Sequence, residues 1–84
     1  KVIFGTNVTS IGKSVFSQMS NLISITIPYS VTIINKFAFY ICSNLESVHL
    51  ENTLSNPSKL THILQGAFAA TKLLSIITSA IFFL

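Results

Sequence analysis

The sequence predicts an α/β repeat stack, a strand-rich solenoid of about three coils of 23–29 residues with short helical or 3₁₀ turns. Three observations predict it. The chain is self-similar: residues 8–30 read VTSIGKSVFSQMSNLISITIPYS, position 31 restarts with VTIINKFAFYICSNLESVHL, and a weaker third copy, LTHILQGAFAATKLLSI, begins at Leu60. A fixed period of this length is the signature of a stack in which each copy buries its apolar face against its neighbours. Five columns are apolar in every copy: Val8, Val31 and Leu60; Ile11, Ile34 and Ile63; Phe16, Phe39 and Phe68; Leu22, Leu45 and Leu74; Ile25, Val48 and Ile77. Each copy also carries a stretch alternating with period two and bounded by turn residues, the pattern of a half-buried strand.

The elements follow in order. Val2 and Phe4 fall in the columns of Ile25 and Ile27, so residues 1–7 read as part of a preceding coil. In the coil of residues 8–30, the segment 8–11 is a short extended stretch. Gly12, and Asn35 in the next copy, tolerate positive φ and suit a tight turn. Residues 14–19, 37–42 and 65–71 are too short for a stable isolated helix and read as one helical or 3₁₀ turn per coil. Stacking the coils aligns Phe16, Phe39 and Phe68 into a spine. The strand at 22–27, closed by Pro28, turns Leu22, Ile25 and Ile27 inward and Ser24 and Thr26 outward. The coil 31–59 repeats this with Leu45, Val48 and Leu50 inward, and six inserted residues near 51–59, rich in Asn, Ser and Pro, form a surface loop. The degenerate coil 60–82 has Leu64 in the turn column and Gly66 two places later, so its turn is expected to be rebuilt or shifted. Residues 83–84 start a further coil, which makes the chain a fragment of a longer array, marginally stable alone.

Composition removes most other function classes. Half of the 84 residues are hydrophobic and 8% are charged, with five Lys, two Glu, no Arg and no Asp. The net charge of +3 comes from scattered Lys, whereas nucleic-acid sites cluster basic residues. For a catalytic triad the only acids are Glu46 and Glu51 within one repeat and there is no G-x-S-x-G elbow, and Gly5, Gly12 and Gly66 are too far apart for a phosphate loop. His49 and His62 have no second Cys and no Asp to complete a zinc set. No enzyme, cofactor, metal or nucleic-acid role is expected. Cys42, the single cysteine, lies beside the Phe39 column and reads as a buried soft hydrophobe. Residues 73–84 form an uncharged run shorter than the roughly 20 residues of a membrane span. It reads as a degenerate strand with an exposed edge, or as the beginning of a truncated transmembrane segment.

The pieces INKFAF at 34–39, CSNL at 42–45, and ITIP at 25–28 followed by Ser30 and Val31, give the chain a pattern that resembles the BspA-like leucine-rich repeat. The resemblance is strong over 8–50 and weaker from Leu60. It implies a right-handed solenoid with strands lining one face, in a cell-surface or extracellular protein of adhesion type. The partner it implies is a protein or glycan, such as a host surface or extracellular matrix. Any membrane attachment would lie outside the fragment or in its C-terminal segment. The targeting signal itself is not in this sequence. Alternation places the candidate contact row on the outward strand face, at Ser24, Thr26, Ser47, His49, Ile76 and Thr78. Asn7-Val8-Thr9 is an N-glycosylation acceptor pattern at an inter-coil turn. The alternative is a structural spacer or an intracellular leucine-rich-repeat scaffold with no ligand in this segment.

Overall fold

A computed structural model describes residues 2–5, 7–73 and, for the backbone alone, 76–77. The expectations placed on Leu74, Thr78 and the rest of the run up to residue 84, including its membrane reading, lie outside the described residues. Among the described residues six short strands form two parallel three-stranded sheets. The narrow sheet takes β1 (Ser10–Ile11), β3 (Ile33–Ile34) and β5 (His62–Ile63). The broad sheet takes β2 (Ser24–Ile27), β4 (Ser47–Leu50) and β6 (Ile76–Ile77). Each copy of the sequence repeat therefore gives one strand to each sheet, and like residues become neighbours.

Register follows the repeat through most of the chain. Ile11 pairs with Ile34 and Ile34 with Ile63, while Ile25 and Ile27 pair with Val48 and Leu50. The break comes at β6. The repeat columns put Ile77 beside Val48, but the backbone pairs Ile76 with Val48 and Ile77 with His49. Phe16 and Phe39 each precede their paired strand position by nine residues, whereas Phe68 precedes Ile76 by eight, so one residue is lost between spine and strand. A one-residue slip exchanges the two faces of a strand. Ile76 thus holds the register position of an inward column, and the expectation that it continues the outward row is corrected.

The core lies between the sheets and is deepest in the middle copy, where Val31, Ile34, Ala38, Phe39, Cys42, Leu45 and Val48 are fully buried. Phe39 stacks on Phe16 at 5.3 Å and 16°, and on Phe68 at 5.2 Å and 2°, so the aromatic spine is present. Phe4 closes its first end edge-on to Phe16, at 5.7 Å and 90°. Val2 and Phe4 pack against the core while Ile3 is exposed, which keeps the expected alternation without adding a strand to the broad sheet.

No helix occurs among the described residues, so none is long and apolar enough to cross a membrane. The expected helical or 3₁₀ segments are instead runs of turns at 13–18, 36–41 and 65–70. Two features prevent a helix. Left-handed φ recurs in two columns, at Ser14, Phe37 and Gly66 and again at Gln18, Ile41 and Ala70. Alternate N–H groups also leave their own segment: those of Ser14, Phe16 and Gln18 donate to the carbonyls of Lys36, Ala38 and Tyr40 in the next copy, and those of Phe37, Phe39 and Ile41 donate to Gln65, Ala67 and Ala69. An α-helix keeps such bonds within itself.

The same turns correct the expectation for Gly12 and Asn35, neither of which adopts positive φ. Their carbonyls instead accept from Val15 N–H and Ala38 N–H, which makes them the first residues of four-residue turns. Left-handed φ then falls two places later, at the third turn position, where a type II turn requires it. Gly66 sits in that register, so the third copy keeps its turn. An added Cβ there would come within 2.5 Å of the Phe37 ring, which leaves glycine as the fitting residue.

Candidate functional site

The outward face of the broad sheet carries the expected row. In β2 Ser24 and Thr26 are exposed while Ile25 and Ile27 are buried; in β4 Ser47 is half-buried and His49 exposed between buried Val48 and Leu50. Ser24 stands in register with Ser47, and Thr26 with His49. Parallel pairing brings such neighbours to about 4.8 Å between strands, close enough for one ligand to touch both. The row continues in register at Ile77, beside His49.

The row lines up four polar side chains on one exposed sheet face. The side chains of Ser24, Thr26, Ser47 and His49 form no hydrogen bond with any described residue. On the narrow-sheet side four polar side chains are committed to the preceding copy. Ser30 Oγ donates to Val8 O at 2.6 Å, Thr32 Oγ1 to Thr9 O at 3.1 Å, Asn35 Nδ2 to Ile11 O at 2.9 Å, and Thr61 Oγ1 to Thr32 O at 3.0 Å. The recurring Thr9, Thr32 and Thr61 were missed as a functional column of the fold. Their signal was in plain view, since a threonine follows the Val8, Val31 or Leu60 position in every copy.

Beside Thr26 the row opens into a groove of about 550 Å³ between residues 2–5 and the turn after β2, with Pro28, Tyr29, Ser30 and Glu51 in its wall. Tyr29 is held by its backbone, whose N–H donates to Glu51 Oε1 at 3.0 Å and whose carbonyl accepts from Lys59 N–H at 2.9 Å. Lys59 Nζ lies 6.0 Å from the Tyr29 ring centroid, within reach of a cation–π attraction. These contacts clamp the base of the inserted loop. Inside the loop, Asn56 N–H donates to Thr53 Oγ1 and Ser58 N–H to Asn52 Oδ1, with Leu54 fully exposed at its tip.

The remaining sequence candidates are dispersed. His62 lies on the narrow sheet, away from the row, with Nδ1 3.0 Å from Thr61 Oγ1. Cys42 is buried, with Sγ donating to Phe16 O at 3.0 Å. Burial pushes its thiol up from the ordinary 9.0, against a smaller opposing pull from a backbone hydrogen bond at Met19. No group of three or more His, Cys, Asp and Glu able to hold a metal ion occurs among the described residues. Asn7 is exposed in a turn ahead of β1.

Two parallel sheets built one strand per copy, cored by columns of Leu, Ile, Val and Phe, define the chain as a leucine-rich repeat protein. The family model described as a BspA type leucine-rich repeat region of six copies matches residues 1–82, and the chain belongs to that family. No curated protein and no solved structure matches it.

Proposed function

We propose that the chain is a non-enzymatic recognition segment of a right-handed leucine-rich-repeat solenoid, with coils at 8–30, 31–59 and 60–82, displayed at a cell surface or outside the cell for adhesion. It binds a protein or glycan through the outward face of the broad sheet. The observation that carries this reading is the exposed row of Ser24, Thr26, Ser47 and His49, whose side chains form no hydrogen bond with any described residue. The BspA type family membership supports it. Hydroxyls and an imidazole offer hydrogen bonds with no fixed charge, a chemistry suited to backbone amides and sugar hydroxyls alike. Affinity per coil is low, and it accumulates when many coils engage one extended partner. Asn7 adds an exposed acceptor for N-linked glycan on the narrow-sheet side, clear of the row.

The test is binding of the chain to immobilised extracellular-matrix and cell-surface preparations, with Thr26→Lys and His49→Lys as variants. Both positions are exposed, so folding survives, and loss of binding in the pair supports the row. Unchanged binding removes the row. Absence of binding by the parent chain supports the structural-spacer reading instead.

A further inference from the structure

The passage from the second copy to the third is six residues longer than that from the first to the second, and the extra length lies in the loop of residues 51–59, which has a described copy on either side. Its ends are pinned. Glu51 N–H donates to Ile27 O at 2.9 Å, Glu51 Oε1 accepts from Tyr29 N–H, and Lys59 N–H donates to Tyr29 O. Between these pins residues 53–57 are all exposed, and Leu54, at 105%, is as open as in an unfolded peptide. Among the described residues, the hydrogen bonds of 53–57 span one turn, from Thr53 N–H to Asn56 O at 3.1 Å and from Asn56 N–H to Thr53 Oγ1 at 3.0 Å. The peptide group joining Leu54 to Ser55 bonds to no described residue. Ile23, Tyr40 and Ile41, also exposed, sit on backbone that is tied across copies. Ile23 O accepts from Glu46 N–H, Tyr40 O accepts from Gln18 N–H, and Ile41 N–H donates to Ala69 O.

We propose that the Leu54–Ser55 bond is a processing site for an endopeptidase with an apolar primary pocket, and that the cut chain stays assembled. An exposed loop tip with few backbone bonds opens locally at little cost, and proteolysis follows the population of the open form. Opening here breaks one turn and disturbs no strand pairing. Leu54 supplies the apolar side chain that such a pocket takes, no charged residue stands between Glu51 and Lys59, and Pro57 lies two places beyond Ser55, so both residues flanking the bond keep their N–H groups. The reaction is hydrolysis: water adds across the peptide bond, leaving a carboxylate on Leu54 and an amine on Ser55. What holds the third copy lies elsewhere. Ile34 pairs with Ile63 and Val48 with Ile76, the N–H groups of Phe37, Phe39 and Ile41 donate to Gln65, Ala67 and Ala69, and Phe39 stacks on Phe68. The cut therefore exchanges a covalent joint for the stack alone, and the two pieces part only when the stack melts.

Chymotrypsin in limiting amount, acting on the 84-residue chain and followed by mass spectrometry, tests this. Within residues 2–73 the first cut is expected after Leu54. The piece ending at Leu54 and the piece beginning at Ser55 then elute together from a native sizing column and apart in urea. The hydrophobic slot of chymotrypsin rejects a carboxylate, so Leu54→Asp slows that cut by about tenfold or more. Circular dichroism of the variant matches the parent, since the side chain is fully exposed. A first cut after Phe4, Met19, Tyr29 or Tyr40, a Leu54–Ser55 bond that resists the enzyme, an equal rate in Leu54→Asp, or pieces that separate without denaturant would overturn the proposal.

Discussion

The narrow and broad sheets come from the same repeat, pair in parallel and bury the same kinds of side chain, yet they handle their polar residues in opposite ways. On the narrow side Ser30, Thr32, Asn35 and Thr61 all donate to carbonyls of the preceding copy. On the broad side the side chains of Ser24, Thr26, Ser47 and His49 form no hydrogen bond with any described residue. A hydroxyl that closes a neighbour's carbonyl stabilises the stack, by about 1 kcal/mol where water is partly excluded. One left open keeps its full capacity for a partner. The difference separates the side of the molecule that holds copies together from the side that can be read from outside.

Removing what the two sheets share has the largest effect. Phe39 is fully buried between two stacked rings, and Phe39→Ala is expected to cost about 3–5 kcal/mol. In a chain this small that is most of the stability, so urea titration should show a lost or strongly shifted transition. A smaller effect sits in the turns that join the sheets. Gly66→Ala places a side chain at φ +71 against the Phe37 ring, and the left-handed backbone alone costs about 1–2 kcal/mol. A lower thermal midpoint with unchanged circular dichroism at low temperature would register it. The smallest concerns Cys42, whose burial raises its folded pKa above 9.0. The folded state holds the proton more tightly than the unfolded one, so stability is complete below that pH and falls as pH rises through the folded value. The stability difference between the parent and Cys42→Ala should therefore shrink above pH 9.0.

Much of this comparison is legible in the sequence because apolar columns repeat. Ile11 with Ile34, Ile25 with Val48, and the three spine phenylalanines needed only the period to be placed. The outward row followed from alternation, which is unambiguous where Ser-Ile-Thr-Ile and Ser-Val-His-Leu each show one polar face. The register of β6 did not follow, because residues 73–77 read Leu-Leu-Ser-Ile-Ile and offer two adjacent isoleucines for one inward column. The turn runs were mistaken for helical turns because Ser14, Phe37, Gln18 and Ile41 carry no sequence mark of a left-handed backbone, and only Gly66 does. The division between committed and free hydroxyls was also invisible, since serine and threonine look alike in both sheets until their neighbours' carbonyls are placed.

Ser30 and Ser47 allow that division to be measured with the same serine-to-alanine change at two sites, because both are half-buried and differ in whether the hydroxyl meets a carbonyl of a described residue. Equilibrium guanidinium unfolding of Ser30→Ala and Ser47→Ala should give a loss of about 1 kcal/mol for the first and less than about 0.5 kcal/mol for the second. Equal losses, or a greater loss at Ser47, would contradict the assignment of one side to holding the stack and the other to facing a partner.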